Sequence, residues 1–564
     1  MNRNTDAHFS SIPQSHIGRS KMTRPCEVKT TFNVGDLIPF YCDPVLPGDS
    51  FHIKTSKVVR LQTLITPMMD NLYLDTYYFF VPSRLVWTHW KNLMGENTDS
   101  AWIPSVTYSE PQIQAPSGGW NIGTIADYFG VPTGKDISIS ALPFRAYALI
   151  ANEFFRREAL TDPLSIYVGD ATQTGVNTGN YITDTELGGL PFKAAKFYDY
   201  FTSCLPSPQK GPDVIIPVGS GLKYPVYALD EEVPTPTQWT NWVRKYKSSS
   251  SDIYRDWIPG ITQNSTANSR ATFSPTRQFN DGGIGSNDVS IVNLWAVGDG
   301  SVAAATISQL RTAFSIQRMY EKDARSGSRY IEVIREHFGT VSPDARMQRP
   351  EYLGGNRVPI SINQVIQQSA TSSSEYLGDV AGMSVTSDHH DDFVHSFTEH
   401  GYVIGLMVAR YDHTYQQGLE RFWSCKDRFD YYWPSFAHLS EQAVLNKELY
   451  CQDDSVVDTD GNVINDQVFG YQEAWAHYRY KPSKCTGEMR SSAPTSLDVW
   501  HLGDDYSSLP YLSDAWIRED KSNVDRVLRV TSAVSNQIFA DLYVMNISTR
   551  PMPVYSIPGL IDHH

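Results

Sequence analysis

The sequence FHIKTSKVVRLQTL at residues 51–64, followed by LYLDTYYFFV at residues 72–81, decides the fold class. Both stretches are rich in β-branched and aromatic residues, and Pro-Gly-Asp and Pro-Met-Met-Asp breakers bound them. Such runs predict β-strands. The sequence LPGD at residues 46–49 has the Pro-then-Gly order of a type II turn. We therefore predict that residues 26–87 are mostly strands joined by tight turns.

Farther along the chain, helices come first and strands return later. Helices are predicted at residues 83–90 with Ser83 as the N-cap, and at 144–159, 307–324 and 328–337. Strands are predicted at residues 393–409, 456–468 and 524–547, and a loop rich in Pro and Gly at 342–356. Because strands and helices do not alternate regularly, a parallel α/β sheet is excluded. The pattern predicts a mainly β fold, an antiparallel sandwich with long loop and helical insertions.

The composition is that of a folded, acidic protein. The 564 residues are 41% hydrophobic and 19% charged, which is typical of a chain with a packed core. With a formal net charge of −15, the surface as a whole repels nucleic acid. The N-terminal arm, residues 1–24, is a local exception, because Arg3, Arg19, Lys21 and Arg24 face a single acidic residue. This arm is a candidate nucleic-acid contact, and a solvated, disordered terminus is the alternative.

The cysteines and the apolar runs indicate a compartment. The cysteines are Cys26, Cys42, Cys204, Cys425, Cys451 and Cys485, and their wide spacing predicts free thiols rather than a zinc or redox motif. The N-terminus lacks the apolar core of a signal peptide. The longest apolar runs are far below the ~18 residues that a membrane span needs. We expect no membrane span, and a protein made and kept in the cytosol or in particles assembled there.

Catalytic motifs are missing from the sequence. It contains no G-x-S-x-G elbow, no H-E-x-x-H and no phosphate-binding loop. The run HHDD at residues 389–392 resembles metal ligands, but neighbours in a strand point to opposite faces, so a polar turn before a strand is favoured. The sequence DTDGN at residues 458–462 resembles part of a calcium loop, but Val and Gln occupy its first and last ligand positions. A hairpin turn explains it better. No catalytic residue, metal site or cofactor is predicted.

One stretch, residues 221–299, differs from the rest in composition. It combines SSSS at residues 248–251 and GGIG at 282–285 with scattered aromatic residues. Small polar residues with aromatic residues suit an exposed recognition surface. Tyr246, Tyr254 and Trp257 are its candidate contact residues. The alternative is a surface loop that binds nothing.

Several ordered stretches resemble one known family. They are PVLPGDSF at residues 44–51, LPFRAY at 142–147, LPSPQKGP at 205–212, KDARSGSRYIEVIREHFG at 322–339, SPDARMQRPEYLGG at 342–355 and ERFWSCKDRFDYYWP at 420–434. They resemble the major capsid proteins of microviruses, specifically of the gokushovirus branch. These viruses are small tailless phages with circular single-stranded DNA. The resemblance covers nearly all of the chain from about residue 24, but not residues 221–299.

The resemblance implies a structural protein of the virion rather than an enzyme. It implies a single eight-stranded antiparallel viral jelly roll over residues 25–564, in which residues 221–299 form a variable surface protrusion. It implies a T=1 icosahedral shell built from pentamers in the host bacterial cytoplasm. The expected partners are further copies of the chain, packaged single-stranded DNA, a host surface receptor, a DNA-pilot protein, an internal scaffolding protein and a small basic DNA-binding protein.

Within such a shell, the candidate residues have expected roles. The basic arm is expected on the inner face near the genome, and Tyr246, Tyr254 and Trp257 near the host surface. The loops at residues 205–212 and 342–355 are expected to be assembly contacts. Aromatic side chains facing the genome are a further expected contact for single-stranded DNA, although the sequence does not identify them. The alternative function is a β-sandwich carbohydrate-binding or carbohydrate-active protein, which needs a carboxylate pair or a metal on the concave face.

Overall fold

Eight long strands form the centre of the fold in a computed structural model of the chain. They are β1 (Ser20–Phe32), β2 (Ile38–Val45), β3 (Ser50–Leu61), β4 (Leu72–Pro82), β5 (Glu351–Pro359), β6 (Thr386–Ser396), β7 (Gly401–Tyr411) and β8 (Ile538–Arg550). The structure describes residues 18–98, 100, 104–214, 307–327, 329–341, 343–344, 346–368, 378 and 380–555, and the backbone of seven short strands between residues 226 and 296.

The eight strands lie in two antiparallel sheets of four. The order is β1-β8-β3-β6 in the first sheet and β5-β4-β7-β2 in the second. The longest ladder joins β1 to β8, from Ser20 opposite Arg550 to Phe32 opposite Ile538. The predicted mainly β, antiparallel fold with helical insertions is therefore confirmed.

The main core lies between the two sheets. Strand β3 alternates strictly, so that Phe51, Ile53 and Thr55 are buried while His52 and Lys54 between them are partly exposed. The Phe397 ring, just after β6, lies 5.3 Å from Phe51 of the first sheet and 4.7 Å from Phe80 of the second. Burial of these large rings stabilises the contact between the sheets by the hydrophobic effect.

The second sheet is covered on its outer face as well. Phe79 of β4 and Leu406 of β7 point away from the main core and pack in a second cluster with the helix Leu142–Ile150, Trp87 and Trp120. This double burial explains why LYLDTYYFFV has long apolar runs, since a strand with both faces covered needs no polar side. The first sheet, by contrast, is open to solvent on its outer face, because more exposed residues alternate with more buried ones along its strands.

The type II turn between β2 and β3 is confirmed. Gly48 has φ of +90°, and the Asp49 amide donates to the Leu46 carbonyl at 3.0 Å. A left-handed conformation at the third position of a turn favours glycine, because it has no Cβ to clash. Strands β3 and β4 also match the predicted strands closely.

The remaining elements lie in the connections. The helices are Ser83–Val86, Trp90–Leu93, Ile125–Tyr128, Leu142–Ile150 with its π-helical continuation Ala151–Phe155, Ile307–Ser326, Tyr330–Phe338, Asn446–Leu449, Ala476–Arg479, Asp514–Ile517 and Ser522–Val527. Short 3-10 turns are Thr185–Leu187, Arg421–Ser424, Arg428–Asp430, Pro434–Phe436, Ile464–Asp466, Gly487–Met489 and Asp498–Trp500. Short strands are Gln112–Gln114, Ser138–Ser140, Gln173–Thr174, Ile362–Ile366, Val380–Ser384, Glu441–Leu445 and Val468–Glu473.

Three predicted strands need correction. The pattern at 393–409 belongs to two strands, β6 and β7, which lie in different sheets. At 524–547 a helix, Ser522–Val527, precedes β8, so only the second half is strand. The strand at 456–468 is wrong, because a single bridge joins Val457 to Val463 and the next strand starts at Val468. The apolar residues there close a turn instead of extending a sheet.

Other boundaries differ for local reasons. The helix at 83–90 is two short helices, and Ser83 lies inside the first because Pro82 is its N-cap. The helix at 144–159 starts at Leu142 and ends at Phe155. The loop at 342–356 becomes strand β5 from Glu351, where a bulge accommodates the two glycines. The helices at 307–324 and 328–337 are confirmed almost to the residue.

The chain divides into two compact units. One comprises Met1–Lys210 with Glu321–His564 and contains both sheets; the other is Gly211–Tyr320. The second unit contains the strands Val226–Ala228, Arg244–Ser248, Ser251–Trp257, Pro259–Gly260, Thr276–Arg277, Val289–Ile291 and Leu294–Ala296. The predicted insertion, residues 221–299, falls within this second unit.

Candidate interaction surfaces

Arg24, a candidate genome contact, already has an ionic partner within the chain. Its guanidinium donates to both carboxylate oxygens of Asp43, at 2.6 and 2.7 Å, and this hydrogen bonding raises the pKa of Arg24. Asp43 is buried and also accepts from Tyr41 and Asn546. Arg24 therefore ties β1 to β2, and little of its charge remains for a phosphate.

The other basic residues of the arm are not gathered into one site. Arg3 lies outside the described residues. Arg19 donates to the Gly48 carbonyl and, at 3.0 Å, to the Ser50 hydroxyl. Lys21 lies exposed on β1, which begins at Ser20 and so includes the last residues of the arm. Genome contact by these residues stays a prediction.

The candidate host-contact residues lie on two neighbouring strands of the second unit. A three-stranded sheet has the order Ser251–Trp257, Arg244–Ser248, Val289–Ile291. Tyr246 is opposite Arg255, Tyr254 is opposite Lys247, and Trp257 is opposite Arg244. Their side chains lie outside the described part of the structure, so host contact also stays a prediction.

The two motif loops that are predicted assembly contacts are fixed at defined points to elements in the connections between the long strands. In the loop at 205–212, Leu205 forms a bridge with Tyr471. In the loop at 342–355, Arg84 donates to the Arg346 and Met347 carbonyls while it pairs with Glu399. Most described residues of both loops before strand β5 are at least partly exposed. They are anchored, accessible segments, which suits a contact surface.

Two consecutive helices expose apolar side chains. No residue described in Ile307–Ser326 or Tyr330–Phe338 is buried. Phe314, Tyr330 and Phe338 are between 60% and 78% exposed. Helices with an apolar side exposed to water are typical of surfaces that a partner covers.

A second exposed surface is formed by residues 420–434 and 477–490, and we call it the aromatic-basic surface. Eight of its aromatic side chains are between 45% and 67% exposed: Phe422, Trp423, Phe429, Tyr431, Tyr432, Trp433, Tyr478 and Tyr480. The two segments meet where Tyr432 lies 6.5 Å from Tyr478 and where the Lys481 amine lies 5.2 Å above the Phe422 ring. Phe422, Tyr478 and Lys481 line a cavity of about 470 Å³ together with further aromatic and charged side chains.

Local hydrogen bonds hold the first segment in shape. The Asp430 carboxylate accepts from the amides of Lys426 and Asp427, which lowers the pKa of Asp430. The Asp427 carboxylate accepts from the Phe429 amide at 2.7 Å. The Trp433 indole donates to the Arg428 carbonyl at 2.8 Å. The exposed rings are therefore presented on a tight series of turns rather than on a loose loop.

Basic side chains surround the cavity. Lys481 and Lys484 both pair with Glu420, and these hydrogen bonds lower the pKa of Glu420. Because two lysines share this one carboxylate, the group has a net positive charge. His477 on the cavity wall is neutral near pH 7, because burial and then Arg421 lower its pKa to about 4.

The predicted metal-like runs have other roles. The run at residues 389–392 lies within β6, not in a turn before a strand, and its side chains bond across the sheet: His389 with Ser56 at 2.7 Å and Asp391 with His52 at 2.6 Å. Asp458 accepts from the Asp460 and Asn462 amides, as in a tight turn. Among the described residues, no group of three His, Cys, Asp or Glu side chains is placed to hold a metal ion. None of the described helices is long and apolar enough to cross a bilayer.

The family profile described as "Capsid protein (F protein)" matches residues 10–560. The chain belongs to this capsid protein family. It is 40% identical to capsid protein VP1 of Chlamydia phage 1 over 98% of this chain and 97% of that protein. It is also 40% identical to capsid protein VP1 of Spiroplasma virus 4, with the same coverage, and 38% identical to that of Bdellovibrio phage phiMH2K over 99% and 98%. The predicted identity as a major capsid protein of the gokushovirus type is confirmed.

The capsid protein is thus a structural component of a virion and not an enzyme. This assignment rules against the alternative of a carbohydrate-binding or carbohydrate-active protein. The sequence did not predict the aromatic-basic surface as a site, although residues 420–434 carry one of the family motifs. A signal was present, since these residues include six Phe, Tyr and Trp residues, but the sequence does not distinguish exposed rings from buried ones.

Proposed function

We propose that this capsid protein assembles into a T=1 icosahedral shell around a circular single-stranded DNA genome, with one jelly roll per subunit. The exposed apolar side chains of the helices Ile307–Ser326 and Tyr330–Phe338 carry the proposal. A lone subunit would keep these side chains in water, whereas closed symmetry covers the same surface on every copy.

The pairing of the strands supports a single jelly roll. Strand β1 pairs with β8, β2 with β7, β3 with β6, and β4 with β5. In this nested pattern the first strand pairs with the last, the second with the second-last, and so on. It results when one long antiparallel hairpin folds over into two packed sheets with Greek-key connections. Strands that follow each other in sequence accordingly lie in different sheets, except β4 and β5.

The partners and the location are inferred from the family. We infer that the shell forms through pentamers in the host bacterial cytoplasm and matures into a virion with a DNA-pilot protein, an internal scaffolding protein and a small basic DNA-binding protein. We further infer that the insertion at residues 221–299 contacts a receptor on the host surface. The likeness over nearly the full length of the three phage capsid proteins supports this set of partners.

Charging the exposed apolar helix tests shell formation. Phe338→Asp places a carboxylate where an assembled shell would cover a ring that is 78% exposed in the subunit. We expect soluble subunits or pentamers and no closed shells, measured by analytical ultracentrifugation and electron microscopy.

The control is Glu336→Gln, which changes an exposed residue of the same helix without adding charge to an apolar position. It should assemble like the unmodified protein. Closed shells from the Phe338→Asp protein in normal yield would contradict this assignment of the helix.

A further inference from the structure

We propose that the aromatic-basic surface, residues 420–434 and 477–490, binds single-stranded DNA. Bases stack on Trp423, which packs beside Phe422, and phosphates contact Lys481, Lys484 and Arg490. The proposal rests on the proposed function, because it takes the enclosed genome to be single-stranded DNA. It places the genome contact on this surface rather than on the N-terminal arm, where Arg24 is already paired.

The charge of the surface is opposite to that of the chain. The two segments carry seven Lys or Arg residues against four Asp or Glu residues, a net charge of +3, whereas the whole chain has −15. Lys481 and Lys484 are 66% and 61% exposed, so they remain accessible although both contact Glu420. Phosphate binding needs cations of this kind, held near one another and open to solvent.

The Trp423 ring is well exposed for stacking. The ring centres of Phe422 and Trp423 lie 4.6 Å apart with 36° between their planes, beside the cavity of about 470 Å³. Trp423 is 67% exposed, and Tyr478, which also lines the cavity, is 57% exposed. Every base has a π-face, so exposed rings beside cations bind single strands without sequence preference. Bases in a duplex are already stacked and do not offer this face.

A second copy of the chain is the other candidate occupant of this surface. The centres of protein interfaces are depleted in charged residues. Here exposed lysines lie among the rings, as where the Lys481 amine lies 5.2 Å above the Phe422 ring, and lysine is one of the residue types in which protein interfaces are depleted. This mixture of cations and rings fits a polyanion with flat bases better than it fits an apolar protein surface.

Oligonucleotide binding by the purified full-length capsid protein tests the proposal. A labelled oligothymidylate of about 20 nucleotides is longer than one such site needs, and fluorescence anisotropy measures its affinity. We expect Trp423→Ala to weaken binding about 5- to 150-fold, the range for loss of one stacked base. Changing Lys481 and Lys484 to Gln should lower the slope of log affinity against log salt by about 0.7 per lysine.

Two controls match these variants outside the surface. Tyr511→Ala removes a ring that is 71% exposed, and Lys135→Gln removes an exposed cation. Both should bind like the unmodified protein. In a second readout, iodouracil-containing DNA should crosslink to peptides from residues 420–434 or 477–490.

Unchanged affinity in Trp423→Ala, or crosslinks confined to other peptides, would overturn the proposal. A Trp423→Ala protein that binds DNA normally but forms no shells would also overturn it and assign the surface to a second copy of the chain. A third outcome separates the two proposals. If the unmodified protein forms no shells, and the Trp423→Ala protein binds DNA more weakly than the unmodified protein does, the proposed shell function is wrong and the DNA-binding surface is supported.

Discussion

At the residue scale, His413 is held between two carboxylates in the interior. Its Nδ1 lies 2.9 Å from Asp504 and its Nε2 2.9 Å from Glu519, and its side chain is 1% exposed. Both ring nitrogens donate only in the protonated form, so this geometry needs the imidazolium. Burial by itself lowers the pKa of His413, but Glu519 and Asp504 outweigh it and raise the pKa to about 10. Lys196, at 3.5 Å, adds a second cation beside Asp504.

This cluster predicts a pH-dependent stability. The pKa of His413 is higher in the folded state than in the unfolded state, so its contribution is complete below about pH 6.5 and is lost as pH rises toward 10. His413→Gln should lower the free energy of unfolding by about 3–5 kcal/mol near pH 6, because it leaves two buried carboxylates without the histidine charge. Thermal unfolding of the variant and of the unmodified protein at pH 6 and pH 10 measures their difference in stability, which should be smaller at pH 10.

His438→Gln is the matched control, since His438 is exposed. It should leave the midpoint unchanged at both pH values. A deficit for His413→Gln that is equal at pH 6 and pH 10 would mean that the histidine charge does not stabilise the fold.

At the element scale, β5 depends on the absence of side chains at its two glycines. A Cβ on Gly355 would lie 2.1 Å from the Thr76 carbonyl of β4, and one on Gly354 would lie 2.3 Å from the Asp392 carbonyl of β6. Strand β5 is therefore pressed against backbone on both sides, at an edge where strands of the two sheets meet. The bulge between Tyr352 and Gly354 lets the strand follow this path.

We expect Gly355→Ala to destabilise the subunit by about 1–3 kcal/mol, because the backbone of β4 must move to admit a methyl group. Gly18→Ala is the control, since no atom lies within 4 Å of the position that its Cβ would take and its φ is not in the left-handed region. Thermal unfolding of both variants checks the prediction. Equal midpoints would show that the β4–β5 ladder has room for the added methyl group.

At the scale of the whole molecule, the described hydrophobic clusters draw their residues from one of the two units. Every residue of the three described hydrophobic clusters lies outside the unit Gly211–Tyr320. A deletion within that unit therefore removes none of the residues that form these described clusters. The sandwich and the clusters around it are expected to fold without a complete insertion.

Deletion of residues 246–287 with a short linker should leave shell assembly intact and reduce adsorption to host cells. We expect a loss of about tenfold or more, since a shell presents many identical contacts and loses their avidity together. Changing Tyr246, Tyr254 and Trp257 to Ala in the full-length chain tests the candidate residues themselves. Undiminished adsorption by particles with the deletion would exclude the insertion as the host contact.

Local patterns in the sequence were enough for much of the fold. Strict alternation in β3, the apolar run of β4 and the Pro-Gly turn between β2 and β3 predicted their elements, because a strand face or a left-handed turn restricts the residue types directly. The wrong predictions arose where a local pattern did not restrict the structure and pairing with a distant segment decided it. Residues 456–468 have strand composition, but in the described part of the chain no neighbouring strand extends their single bridge.

The sequence by itself determined the family, the mainly β class, the free cysteines and the lack of a catalytic motif, since composition and ordered motifs carry that information. Only the tertiary structure decided which charged side chains are paired within the chain and which are accessible to a ligand. It paired Arg24 with Asp43 and gathered residues 420–434 and 477–490 into one exposed surface. The reason is physical: exposure and ion pairing depend on which distant segments meet, and no local pattern records that.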